Sequence, residues 1–417
     1  MLAETSPAPP ATEIAPPTLA VDLHLDDTQS AFAYKSDVEL RRAHLLFTTL
    51  QANWLVRVGP PLLELALKLQ LPIRGLVRSY FFDQFCGGIT LADTATRSEQ
   101  LWKYNVGTTL DYAVEGIKSE AGFDACRDEM LRVIAYSEGR APVSFVALKM
   151  SGLGPSDAME RLQSGNANSF ERSQVERAEQ RLVALCEAAE RANVRLLLDA
   201  EETWIQTTID GMAERAMQRF NRSQLVIYTT AQLYRHDRLA YVRQLLSRAA
   251  NEGWIAGIKL VRGAYLEKEN ARARKLGVPS PMQPNKAATD RDFDSAASAM
   301  VQALDHCALV AGTHNESSCE HIASLMQSLG ISPEHPRVHF SQLFGMSDNL
   351  SFNLAALGYR VAKYLPYGPL DAVLPYLTRR AQENTAIAGQ SSRELILIRT
   401  ELERRSRQRS LAARPRL

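Results

Sequence analysis

Cysteine is scarce and unpaired in this chain. Five occur in 417 residues, at Cys86, Cys126, Cys186, Cys307 and Cys319, an odd number with no Cys-x-x-Cys. That speaks against a disulfide framework or a zinc ribbon and suits a reducing compartment. No apolar run reaches the roughly 18 residues of a spanning helix. An excess of one charge is missing too: 48 Lys+Arg against 47 Asp+Glu leave +1. Such a balance argues against a partner held by bulk charge, such as nucleic acid. There is no Walker A loop and no internal repeat. The nearest approach to Gly-x-Gly-x-x-Gly is Gly152-Leu153-Gly154, followed by the helix breaker Pro155. Without a third glycine, a Rossmann dinucleotide site is set aside.

What is present is the mixture of a globular protein, with 45% hydrophobic and 23% charged residues. Residues 1–20 carry Pro7, Pro9, Pro10, Pro16 and Pro17, some acid and no Lys or Arg, unlike a signal or transit peptide. A disordered leader is expected there. Residues 21–100 read as a helical region. Leu40, Ala43, Leu46 and Phe47 have helical spacing, as do Leu62, Leu65 and Leu69, and an aromatic cluster follows at Tyr80, Phe81, Phe82 and Phe85.

After residue 100, eight short β-rich runs alternate with amphipathic segments. They fall near Trp102–Leu110, Val143–Met150, Val194–Leu198, Gln224–Thr229, Ile255–Val261, Cys307–Thr313, Val338–Phe340 and Tyr359–Tyr364. This alternation predicts a parallel sheet, and eight units over 101–390 predict an α/β fold of the (β/α)8 barrel type. Residues 391–417 are expected to form a C-terminal helix and a basic tail.

A barrel places its ligand cavity at the C-terminal ends of its strands. Polar residues collect at all eight: Asp111 and Glu115; Lys149 and Ser151; Asp199, Glu201 and Glu202; Gln232; Lys259, Arg262 and Tyr265; Thr313, His314 and Asn315; Gln342; Lys363 and Tyr364. Lys259 and Arg262 suit an anionic ligand, or a salt bridge to Asp199 or Glu201. Strand alternation aims them to opposite faces, and Gly263 permits a close approach to the backbone. Thr313, His314 and Asn315 suit a polar cofactor, or a helix cap. His314, Cys319 and His321 do not have the spacing of a zinc site. Arg379 and Arg380 stand on a predicted helix beside Tyr376. Adjacent guanidiniums bind a carboxylate well, and their other reading is a solvated basic face.

The segments LVRGAYLEKEN (260–270), GTHNES (312–317), FSQLFGMSDNLSF (340–352) and GYRVAKYLPYGPLDAVLPYLTRRAQEN (358–384) strongly resemble proline dehydrogenase, in order, from about 105 to 389. The resemblance implies a distorted TIM-like barrel with non-covalent FAD. It implies oxidation of L-proline to Δ1-pyrroline-5-carboxylate by hydride transfer to flavin N5, with electrons passed to a membrane quinone. By the same resemblance Arg379 and Arg380 bind the proline carboxylate, and Lys149 stands beside the substrate. Tyr265, Tyr364, Tyr376 and Leu343 wall the ring, Asp199 is an active-site acid, and Glu115 pairs with the second arginine as a gate. Gln232, Lys259, Arg262, Thr313, His314 and Asn315 contact the flavin, with Lys286, Thr289 and Asp290 towards its adenosine. Some bacterial members carry arginine where Lys259 stands.

Hydroxyproline dehydrogenases look alike but lack the eighth-strand tyrosine, so Tyr364 favours proline. Hydroxyproline oxidation and a catalytically inactive binding barrel are the competing readings. The expected setting is the bacterial cytoplasm, peripheral to the inner membrane, or the mitochondrial matrix or inner membrane in a eukaryote. Residues 404–417 hold six arginines and no acid, leaving −5 for the rest. That tail is a candidate contact with an anionic membrane.

Overall fold

The computed structural model describes residues 23–50, 81–386 and 390–412. The helical spacing of Leu62, Leu65 and Leu69, Tyr80 and the leader lie outside the described residues.

Eight parallel strands close into a barrel in sequence order. They are β1 (Val106–Tyr112), β2 (Val143–Leu148), β3 (Leu196–Leu198), β4 (Ile227–Gln232), β5 (Ala256–Val261), β6 (Cys307–Gly312), β7 (Val338–Leu343) and β8 (Val361–Tyr367). β8 pairs back onto β1 from Val106↔Val361 to Tyr112↔Tyr367. Two-residue alternation divides the side chains. Phe145, Ala147, Leu197, Tyr228, Ala308, Val310, Ala362 and Tyr364 fill the interior. Val146, Leu196, Leu198, Ile227, Ile258, Leu260 and Leu309 point outwards into the core shared with the surrounding helices.

Strand limits differ from the sequence reading at several places. β1 begins at Val106 because Trp102 ends the helix Leu91–Trp102. A Thr90–Asp93 capping box starts that helix, and Asn105, with φ +59°, makes the turn into β1. β4 lies about three residues later than expected, and β7 and β8 run on to Leu343 and Tyr367. β8 continues through Pro366, whose ring removes one ladder donor. The Pro366 carbonyl still accepts a bond from the Gly87 N–H at 2.8 Å.

A second apolar core sits beside the barrel. It joins Phe32, Leu40, Ala43, Phe47, Phe82 and Phe85 from the N-terminal region to Tyr376 and Leu377 of the helix Leu370–Ala386. Leu397 and Ile398 of the helix Gln390–Ala412 complete it. The C-terminal helix is therefore packed against the N-terminal helices and is not a free tail. Arg404 and Arg405 pair with the buried Glu401, and Arg405 and Arg409 with Asp37. No described helix is long and apolar enough to cross a membrane.

Candidate active site

The strand C-termini open onto a cavity of about 520 Å³, within the ordinary range for a small-molecule site. Seven cationic side chains line it: Lys149, Lys259, Arg262, Lys286, Arg379, Arg380 and Arg393. Among the described residues three carboxylates line it with them, Asp199, Glu316 and Glu394, while Glu115 pairs with Arg379, and Asp290 with Arg262 and Lys286, from outside the lining. A cavity so composed suits a ligand with several negative charges.

One end is built from β2, β3, β8 and the helix Leu370–Ala386. The Tyr364 hydroxyl donates to Asp199 Oδ2 at 2.7 Å. Lys259 Nζ bonds the other oxygen of Asp199 and lies 5.1 Å from the Tyr364 ring centroid. Burial alone would raise the Asp199 pKa, but Lys259 and Lys149 bring it below the usual carboxylate value. Burial alone would lower the Lys149 pKa, yet Asp111, Asp199 and Glu115 raise it and hold the group cationic. Arg380 is buried, its guanidinium 5.1 Å from the Tyr376 ring centroid. Tyr265 and Leu343 complete this end.

The Glu115 pairing differs from the one expected. Glu115 takes both terminal nitrogens of Arg379, the first arginine of the pair, and Lys149 Nζ stands 3.7 Å away. Burial opposes ionisation of Glu115, but Arg379 and Lys149 prevail and lower its pKa to about 2. Glu115 is outside the cavity lining and meets it through Arg379.

At the other end Arg262 reaches Asp290 Oδ1 at 2.7 Å, Thr313 Oγ1 at 2.7 Å and Ser318 Oγ at 3.0 Å. Alternation holds up to Val261, the last residue of β5. Arg262 lies past the strand end and enters the same cavity as Lys259. Lys286 holds the far oxygen of Asp290 at 2.6 Å. Gln232 lines the wall and donates to the Glu201 carbonyl at 2.8 Å. His314 faces Ser347 Oγ at 2.8 Å through Nδ1. Burial, then Lys363, Arg380 and Arg262, lower its pKa to about 3, so it is neutral.

Several candidates take other roles. Asn315 lines the cavity but spends its side-chain oxygen on the Ser318 N–H, capping Glu316–Ser328. Thr289 is buried in the helix Lys286–Gln302 and does not line the cavity. Lys363 points away from it, into a buried ion cluster with Asp348 and Lys35. Gly263, with φ +134°, makes room for the Tyr234 ring, 2.4 Å from where a Cβ would stand. His321 turns to Ser298 at 2.7 Å. Among the described residues no group of three or more His, Cys, Asp or Glu could hold a metal.

Sequence reasoning missed Ser347, Arg393, Glu394 and Leu397, which also line the cavity. The last three come from the C-terminal helix, and an arginine-rich segment with two buried glutamates, Glu394 and Glu401, carries no signal of where it docks. Glu394 accepts the Ser347 N–H, and burial with the Asp348 charge raises its pKa to about 7.

These features define a parallel (β/α)8 barrel with a cation-rich cavity at its strand C-termini. The match is specific beyond that class: the chain belongs to the proline dehydrogenase family, whose model fits residues 94–393. It is 35% identical over 334 residues to the carbapenem antibiotics biosynthesis protein CarD of Pectobacterium carotovorum subsp. carotovorum, covering 79% of this chain and 85% of that one. It is 29% identical to proline dehydrogenase 2, mitochondrial, of Arabidopsis thaliana, covering 96% of both chains. The proline utilization A structure from Bdellovibrio bacteriovorus superposes with a TM-score of 0.68 at 18% identity, over 86% of this chain and 38% of that one. That likeness concerns the fold.

Proposed function

We propose that this chain oxidises L-proline to Δ1-pyrroline-5-carboxylate with FAD as its cofactor and a quinone as the final electron acceptor. The observation that carries the reading is that the Arg379–Arg380 pair lines one cavity together with Lys149, Tyr364 and Asp199. Proline offers a carboxylate for the guanidiniums and an apolar ring for Tyr265, Tyr364, Tyr376 and Leu343.

The residues present fit FAD. The cationic run of Arg262 and Lys286, beside the neutral donors Gln232, Thr313 and His314, suits a diphosphate joined to a polar ring system. Arg262, Lys286, Gln232, Thr313, His314 and Lys259 are the residues that would hold it, with Asn315 limited by its capping role. When bound, FAD supplies the two-electron acceptor for the hydride leaving ring carbon C5. The chain itself works by positioning, which accounts for a large share of such a barrier. Arg380 and Arg379 fix the carboxylate, Lys149 stays cationic beside it, and Asp199 locks Tyr364 against the ring.

Tyr364 also argues for proline over hydroxyproline. Its hydroxyl is tied to Asp199 and its ring lies under Lys259, so it cannot swing aside for an added hydroxyl without breaking both contacts. A quinone acceptor places the chain beside a membrane, in the bacterial cytoplasm or the mitochondrial equivalent.

The test is an absorption spectrum of the purified chain before and after anaerobic L-proline. A yellow protein bleached by proline is expected. A colourless protein that takes up no FAD would falsify the reading. Comparison of kcat/KM for proline and hydroxyproline separates the two substrates.

A further inference from the structure

We propose that Asp111 is a positioning residue of this cavity, a proton-exchanging carboxyl beneath Lys149 and Tyr364 that sets how tightly a carboxylate ligand is held. The proposal rests on the reading that the cavity binds a small carboxylate, and it concerns a residue with no direct ligand contact.

Asp111 stands on β1, opposite Ala147 of β2 and Pro366 of β8. It is thus wedged between the two strands that carry Lys149 and Tyr364. It is 2% exposed and absent from the cavity wall. Its Oδ2 is buried with no hydrogen bond among the described residues, the facing Tyr364 hydroxyl being given to Asp199. A carboxylate oxygen in that state is costly, and a proton lowers the cost.

The groups that face Asp111 come from every neighbouring element. Lys149 lies at the end of β2, Asp199 at the end of β3, Tyr364 and Tyr367 on β8, and Glu115 beyond β1. Cys126 faces it from the helix Glu120–Ser137, and Cys86 from the segment before β1. Asp199 has Lys259 as its own cation, and Glu115 has Arg379. Among the described residues Asp111 has no cation of its own and shares Lys149 with both. Of these three acids it therefore gains a proton most readily. Burial first, with Asp199 and Glu115 adding to it, raises its pKa against the pull of Lys149 and Tyr364.

The consequence is directional. With Asp111 protonated, the full Lys149 charge faces the cavity. With Asp111 ionised, part of that charge is cancelled and an anionic ligand is held less tightly. Affinity for a carboxylate falls as pH rises.

The probe is cyclopentanecarboxylate, which has the ring and carboxylate of proline and no amine to titrate. Calorimetry on the flavin-loaded chain gives the Kd of its ionised form from about pH 5 to about pH 9, the fraction of probe protonated on its own carboxyl near the acid end being divided out. Asp111→Asn should match the wild type at the acid end and bind about tenfold tighter at the alkaline end. A ratio between the two proteins that stays constant with pH overturns the proposal, because a purely structural role would act equally at every pH. Visible flavin absorbance shows that the variant is folded, and Asp111→Ser gives the same comparison should the asparagine variant lose flavin. A wild-type affinity that does not fall with pH overturns the proposal without any variant. If the wild type binds no cyclopentanecarboxylate at any pH, the carboxylate reading of the cavity falls with it.

Discussion

Arg379 and Arg380 are adjacent in sequence but divided in role, and Glu115 makes the division. Glu115 engages both terminal nitrogens of Arg379 at the mouth, while Arg380 is buried at the cavity wall beside Tyr376. One guanidinium is tied to a carboxylate of the chain itself, and in the proposed function the buried one carries the larger share of the ligand's carboxylate.

Arg380 and the Glu115–Arg379 pair should therefore differ in kinetics. Arg380→Met removes a desolvated charge-assisted contact and should raise KM for proline by ~2–4 kcal/mol, roughly 30- to 1000-fold. Glu115→Gln loosens a partly exposed pair and should shift KM by less than about tenfold. Steady-state kinetics on both variants checks this; an unchanged KM in Arg380→Met removes the carboxylate role.

His314 is neutral throughout the working range, because its pKa is held near about 3. It can serve the cofactor as a hydrogen-bonding group but cannot titrate near neutrality. His314→Ala should weaken FAD retention by about 1 kcal/mol, several-fold in Kd. It should leave the positions of the steps in the pH profile of kcat/KM unchanged. Fluorescence titration of the apoprotein with FAD gives the first number, and a shifted step would contradict the second.

The barrel was legible in the sequence because it is a matter of periodicity, and the interior and exterior rows of β2, β5 and β6 follow directly from alternation. The strand ends were less so. Trp102 looked like a strand residue by composition, yet a capped helix claimed it. Within the site, residues at strand ends could be placed once the barrel was assumed. Thr289 could not, because its helix turns it inwards. Glu394 and Leu397 could not, because their position depends on how the C-terminal helix docks on residues more than 300 positions earlier.

The buried cluster behind β8 should hold much of the stability of the barrel seam. Asp348 binds Lys35 and Lys363, each at 2.9 Å, and accepts the Tyr34 hydroxyl at 2.8 Å. Asp348→Ala leaves two buried ammonium groups without their shared anion, which should cost about 3–5 kcal/mol. A lower urea midpoint is the readout. Burial would raise the Asp348 pKa, but the two lysines lower it to about 2. Since that lies below the unfolded value of about 3.9, its stabilisation is present above about pH 4 and is lost as pH falls towards about 2.

The basic tail should act on folding more than on membranes. Arg405 is only 18% exposed and bonds both Glu401 and Asp37, and Glu401 is fully buried. Arg404 takes the remaining Glu401 oxygen, and Arg409 also bonds Asp37. These cations are engaged by carboxylates of the chain itself. Arg407, 80% exposed, is the described tail arginine most open to an anionic surface. Deleting residues 404–417 leaves Glu401 buried without a cation, an arrangement that typically costs about 3 kcal/mol or more. The shortened chain should therefore unfold at a distinctly lower temperature. Its binding to anionic liposomes should weaken several-fold without being lost, at about 1 kcal/mol per exposed arginine removed. A truncated chain with unaltered Tm and abolished liposome binding would reverse this assignment and make the tail a membrane element.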